Sequence, residues 1–182
     1  MVTKPVDAYF PAIGPTHMAQ VAGGAFQQGL TPLSMMAAPS FNDAFVREGF
    51  ALAPLFTSGS MYLMAFVAPY EAETAGHATM RATFTAMGID SANTFLVAGW
   101  SSQHHLKGVL EAANKGGDLT RAGIRRAAGS VYVDSDGMMP QRELGQNRAD
   151  AESFIAVPDG TIASGVKLLA GNYVGPSAGG YD

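Results

Sequence analysis

Short apolar runs and turn-forming residues alternate through the first third of the chain. Val6–Phe10 is apolar and closes on Pro11 and the Gly14–Pro15 pair, which predicts a strand and a turn. His17–Gln28 then places Met18, Val21, Ala22, Ala25 and Phe26 at helical spacing, with Thr16 available as cap and Gly29 as stop. Leu33–Ala37 predicts a second strand closed by Pro39. Ser40 or Asn42 caps a short helix to Glu48, stopped by Gly49, and Phe50–Phe56 predicts a third strand before a Thr57–Ser60 loop. A β-α-β-α-β order with short connections implies parallel strands joined by right-handed crossovers. Ligands of such sheets sit at the loops leaving the C-terminal strand ends. Here those are Ala12–Thr16, Ala37–Phe41 and Thr57–Met61.

The middle of the chain has helical periodicity. His77–Met87 predicts one helix, ended by Gly88, and Ser91 opens a longer one to Asn114. Phe95, Gly99, Ser102, Leu106, Val109 and Ala113 share one face of it by three-and-four spacing. Gly99 costs about 1 kcal/mol against Ala inside a helix, so close packing against a neighbour is expected there. Gly116–Gly117 ends the helix, and Asp118 or Thr120 starts another through Ala128. Beyond it, Val131–Val133 predicts a strand and Asp136–Gly137 a turn. Phe154–Val157 and Thr161–Leu169 flank Pro158–Asp159–Gly160 as a hairpin. Gly175–Asp182, rich in Gly, Ser and Pro, is expected to be a mobile tail.

Composition narrows the function. The 182 residues are 47% apolar and only 14% charged, which suits one packed domain and excludes a charge-rich disordered chain. A net charge of -4 and a single basic cluster, Arg121, Arg125 and Arg126, argue against nucleic acid as a partner. Without cysteine there is no disulfide framework and no thiolate metal site. Met1–Pro5 lacks the apolar region of a signal peptide, and the apolar stretch Ala51–Tyr70 is broken by Pro54, Thr57–Ser60 and Pro69.

The segment AGWSSQHHLKGVLEAANKGGDLTRAGIRRA, within Thr94–Ala128, resembles a segment of the type I periplasmic solute-binding proteins, extracellular ligand-binding receptors of ABC transporters related to those for branched-chain amino acids. It has a glycine–aromatic pair in a long amphipathic helix, then DLTR opening the next helix. Upstream, DAYFPA with its GP turn and PLSMMAAPSF fall in the order that family shows. Downstream, so do DSDGMMP and the strand carrying PDG. The resemblance implies an incomplete, Rossmann-like α/β lobe with a parallel sheet, from the C-terminal half of such a protein. Residues 1–64 would belong to the second solute-binding lobe and residues 65–130 to helices that pack on the first. Residues 131–182 would be closing strands and tail. The first-lobe sheet is then absent, so a missing N-terminal half or another copy of the chain is expected to complete the structure, the isolated chain forming a homo-oligomer. It further implies a small-molecule solute, an ABC-transporter permease as partner, no cofactor, no catalysis, and a periplasmic or extracellular location. The same fold also serves as the sensing lobe of regulators.

By that resemblance the solute faces Ile13, Gly14, Pro15 and Thr16, then Ala38, Pro39, Ser40 and Phe41. These loops carry no acid for an α-ammonium group. Backbone amides, the Thr16 and Ser40 hydroxyls and the Phe41 ring suit an amide, a carboxylate or an aromatic solute, while an amino acid is the family's own cargo. Other constellations lead elsewhere. His104 and His105 are adjacent on a helix, point about 100° apart and cannot chelate one ion. Asp134–Ser135–Asp136–Gly137 begins like a calcium loop, but Met138 stands at the fifth position, which leaves a plain Asp–Gly turn. A small α/β hydrolase would need a nucleophile elbow, and no G-x-S-x-G occurs. Met35, Met36, Met61 and Met64 border the predicted loops and are expected mainly as core. Trp100, opposite the main apolar stripe, is expected to cover a second packing face.

Overall fold

The computed structural model describes residues 6–140, 142–143 and 152–174. Met1–Pro5 and the expected mobile tail Gly175–Asp182 lie outside them. A five-stranded sheet in the order β1-β2-β3-β6-β7 is built from β1 (Ala8–Tyr9), β2 (Leu33–Ala37), β3 (Met61–Ala65), β6 (Glu152–Pro158) and β7 (Val166–Val174). The first three strands run parallel; β6 lies antiparallel to β3, and β7 antiparallel to β6. The sheet is therefore mixed, parallel on one side and closed by a hairpin on the other. That hairpin is the one expected around Pro158–Gly160, with a longer connection: β7 begins at Val166 rather than Thr161. Arg47 holds the connection by donating to the carbonyls of Ile162 (3.2 Å) and Ala163.

Helix α1 (Pro15–Gln27) links β1 to β2. Its N-cap is Gly14 rather than Thr16, because Pro15 takes the first helical position, where the missing N–H costs nothing. After β2 come two 3-10 turns, Ala38–Ser40 and Asp43–Val46, the second capped by Asn42, whose side chain accepts from the Ala44 N–H at 2.9 Å. The stretch Phe50–Phe56 is not a strand. Pro54 opens the single helical turn α2 (Ala53–Phe56), and the adjacent residues Leu55 and Phe56 are both buried, which the two-residue alternation of a strand does not allow on one face. The third strand is Met61–Ala65 instead. Thr57–Ser60 thus leads into a strand, and the loop leaving its C-terminal end starts at Phe66.

One sheet face packs on α1 and the turns. Met18, Met36, Phe41, Phe45, Phe56 and Leu63 are buried there, and the Phe45 ring lies 4.6 Å from that of Phe56 and 5.3 Å from that of Phe50. Cross-strand partners place Met35 with Tyr62, and Ala37 with Met64 and Ile155, on the opposite face. That face is only partly covered, and Met64 is 51% exposed.

The helical segment consists of α3 (Ala75–Ala86), α4 (Thr94–Lys115) and α5 (Arg121–Ala128). Thr74, Asn93 and Thr120 cap them with side-chain oxygens. The Trp100 ring meets Phe84 edge-on at 5.6 Å and packs on the same core as Val97 of α4, rather than on a second face opposite the buried stripe. The buried stripe of α4 is Val97, Ser101, Val109 and Ala113; Phe95 and Leu106 are about half exposed. A Cβ on Gly99 meets no atom within 4 Å, so that glycine serves no close packing. The tight approaches are at Gly76, where a Cβ falls 2.4 Å from Met138 Cγ, and at Gly123, where it falls 2.1 Å from the Asp118 carbonyl oxygen. The short strands β4 (Tyr132–Val133) and β5 (Arg142–Glu143) pair around a turn in which Asp136 and Gly137 both have positive φ, 52° and 81°. Among the described residues no helix is long and apolar enough to cross a membrane.

Candidate functional site

The C-terminal ends of β1, β2 and β3 lie side by side, so the segments leaving them form one edge. Ser40, fully buried, joins two of these segments. Its Oγ accepts from the Ile13 N–H at 3.1 Å and lies 3.4 Å from the Pro11 carbonyl, which also accepts from the Ala37 N–H at 3.0 Å. The loop after β1 is thereby latched to the turn after β2. Ser40 is a strut and offers no free hydroxyl to a ligand. Phe41 is buried as well, its ring 6.0 Å from Phe45 in an edge-to-face contact, and Ala38 is buried beneath Ala65 and Phe154. The Phe41 ring is part of the core rather than a stacking surface.

What remains at the surface is Ile13, Gly14, Thr16 and Pro39, with Pro15 half-buried. Two exposed aromatics join them at the same sheet edge: Phe10, 75% exposed after β1, and Phe66, 43% exposed after β3. Phe10 looks like the end of a strand in the sequence. Phe66 is hidden in the apolar stretch Ala51–Tyr70, and only the correct placement of β3 brings it to the edge. Helix α1 starts inside the first loop, and among its first N–H groups that of Met18 bonds to Gly14 O at 3.0 Å. The N–H groups before it point out of the helix end and favour a negative group. Helix-end backbone amides and exposed apolar side chains thus share this edge, and neither Ala12–Thr16 nor Ala37–Phe41 carries a carboxylate.

The other candidate residues lie apart. His104 and His105 are half-buried on α4 rather than solvent-facing, and no group of three metal-ligating side chains occurs among the described residues. His104 borders a groove of about 730 Å³ between α4 and β4, with Leu106, Leu110 and Tyr132. Among the described residues, Tyr9 OH and Ser34 Oγ are buried polar atoms without a partner; they sit on β1 and β2 and do not line this groove. The DLTR stretch is a cap. Asp118 Oδ1 accepts from the Thr120 N–H (3.0 Å) and hydroxyl (2.5 Å), and Arg126 pairs with Oδ2. Those bonds from Thr120, reinforced by the Arg126 charge, hold the Asp118 carboxyl below its ordinary range. Asp159 and Thr161 repeat the arrangement in the β6–β7 connection.

No protein-family model and no curated protein matches the sequence. Solved structures do match the fold. Over 97% of this chain, it superposes on a fatty acid ABC transporter substrate-binding protein from Thermomonospora curvata with a TM-score of 0.81 and 21% identity. An ABC transporter substrate-binding protein of Aeropyrum pernix matches over 94% of the chain with a TM-score of 0.66 and 12% identity. The chain covers 45% and 46% of those two proteins, less than half of either. Its fold is like that of these substrate-binding proteins, the type I periplasmic binding protein-like arrangement of helices around a mixed sheet.

Proposed function

We propose that this chain is part of a two-lobed solute-binding protein that passes a small molecule to an ABC-transporter permease outside the cytoplasmic membrane, and that it performs no chemistry on its cargo. The observation that carries this reading is the superposition over 97% of the chain on a substrate-binding protein. In the proposed division, residues 1–64 contribute to the solute-binding lobe, residues 65–130 pack toward the other lobe, and the remainder closes the structure. The other lobe comes from additional polypeptide or from another copy of the chain.

The solute class follows from the exposed edge. Phe10, Ile13 and Phe66 offer apolar contact, while the N-terminus of α1 offers N–H groups and no competing acid. A carboxylate with an apolar tail satisfies both, and the first of the matched proteins is named for fatty acids. An α-amino acid lacks a partner here for its ammonium group. One lobe leaves half the solute in water, so binding should be weaker than about 100 μM, roughly 5.5 kcal/mol. A thermal-shift series with octanoate, octanamide, leucine and benzoate, followed by calorimetry, tests the reading. Octanoate should stabilise the chain more than octanamide or leucine. No stabilisation by any of them at millimolar concentration, or turnover of ester analogues, would refute it.

A further inference from the structure

Two cores meet along one segment of the chain. The chain leaves the sheet core at the end of β3, and the helical core gathers Val67, Tyr70, Met80, Phe84, Val97 and Met138; residues 66–74 run from one to the other. Where this segment enters α3, the imidazole of His77 is fully buried with both ring nitrogens engaged. Nε2 lies 3.2 Å from the Ala68 carbonyl and Nδ1 lies 2.7 Å from the Thr74 hydroxyl, the N-cap of the helix. The Ala68 N–H donates to the Met138 carbonyl and the Gly76 N–H to the Asp136 carbonyl, both at 3.0 Å, so the returning turn is tied to the same place. One ring thus links the outgoing segment, the helix cap and, through its neighbours, the turn before β5.

The contacts suit a neutral ring. Nε2–H donates to the carbonyl, which cannot donate, and Nδ1 accepts from the Thr74 hydroxyl, whose oxygen accepts from the His77 backbone N–H at 3.3 Å. A proton on Nδ1 would point at the hydroxyl proton, which must then rotate away and give up its acceptor, leaving the Thr74 oxygen to accept from Nδ1–H beside the His77 backbone N–H and a positive charge inside the fully buried junction. Burial disfavours the charged ring and lowers its pKa, against the carbonyl bond from Ala68. Arg81, one turn along α3, opposes a positive charge, and Glu73 in the connecting segment favours one. Arg81 also bonds to the Tyr70 and Ala72 carbonyls (2.9 Å each) and pairs with Glu73 at 3.3 Å, while Glu71 is bound to Ser164. The turn over Gly76 carries the exposed Asp134 and Asp136.

We propose that His77 is an acid-sensitive latch, which holds the junction between the sheet unit and the helical unit closed while neutral and loosens it when protonated. The proposal concerns the junction alone and stands whether or not the chain binds a solute. A folded-state pKa below the ordinary value of about 6.5 means that the unfolded or opened form takes up the proton first. Stability at the junction is then complete above that value and is lost as pH falls toward the folded pKa. The test combines an NMR titration of the histidine rings with amide protection factors. Where the His77 ring protonates, protection at Ala68 and Gly76 should fall by about tenfold or more, the equivalent of one pKa unit, while Met36 in β2 keeps its protection. His77→Gln, which cannot charge, should lose that acid response. Junction protection that ignores the ring's titration overturns the proposal, as does an unchanged acid response in His77→Gln. If that variant does not fold, the wild-type comparison of ring titration with junction protection decides alone.

Discussion

Replacing Ser40 by Ala tests whether the two candidate loops are held together as described. Ser40 is fully buried, and its hydroxyl accepts from the Ile13 N–H at 3.1 Å. Removing it strands that N–H. The Pro11 carbonyl loses little, since its contact with Ser40 is long at 3.4 Å and it still accepts from the Ala37 N–H at 3.0 Å. One orphaned donor in a partly buried place costs about 1–2 kcal/mol. With a urea dependence of about 2.5 kcal/mol per molar, the unfolding midpoint should fall by roughly 0.4–0.8 M at unchanged slope. The Ile13 amide should lose protection from hydrogen exchange before the global transition. Ser102→Ala is the control: that hydroxyl is exposed and bonds to Ala98 O within its own helix at 2.7 Å, so its loss should stay within about 0.5 kcal/mol. A Ser40→Ala midpoint indistinguishable from the parent, with Ile13 still protected, would show that the latch does not hold these loops.

Two glycines should respond in opposite directions. Gly123→Ala drives a Cβ to 2.1 Å from the Asp118 carbonyl oxygen and should cost about 1–3 kcal/mol in thermal unfolding, whereas Gly99→Ala meets open space and should stabilise α4 by up to about 1 kcal/mol. Phe56→Ala removes a fully buried ring from the aromatic cluster and should cost about 3–5 kcal/mol. Phe10→Ala, at a 75% exposed position, should change stability by less than about 0.5 kcal/mol while weakening octanoate binding in calorimetry. Phe95, Leu96 and Leu106 are about half exposed on α4, so light scattering of the isolated chain should show association that Leu106→Glu reduces; a compact monomer would remove the case for a copy covering this helix.

Local signals were legible in the sequence where residue type and spacing agreed. Strand β2 runs over the expected Leu33–Ala37, a short and mostly apolar run closed by Pro39. Turn chemistry narrows the α5 cap to Asp118 or Thr120, of which Thr120 takes it, and places a hairpin at Pro158–Gly160 without fixing where its second strand begins. Strand β3 was missed because Phe50–Phe56 is apolar without alternating, and a run of that kind does not distinguish a strand from a buried helical turn. That error displaced one of the three loops at the sheet edge and concealed Phe66. The other two loops were placed by the β-α-β rule, but the state of their side chains was not readable. Ser40 and Phe41 look like ligand contacts until the tertiary structure commits one to Ile13 and the other to Phe45. The stripe on α4 holds at Val109 and Ala113 but not in the first half of the helix: helical spacing gives several candidate faces, and there the neighbours choose Val97 and Ser101 over Phe95 and Gly99.

The central claim is that solute, if bound, meets the C-terminal edge of the parallel strands. An amide chemical-shift map of the labelled chain titrated with octanoate tests it most directly. The account predicts saturable shifts at Phe10, Ile13, Thr16, His17 and Phe66, with an affinity weaker than about 100 μM. Shifts confined to Leu106, Leu110 and Tyr132 along the groove beside α4, with the strand-end loops unmoved, would contradict it.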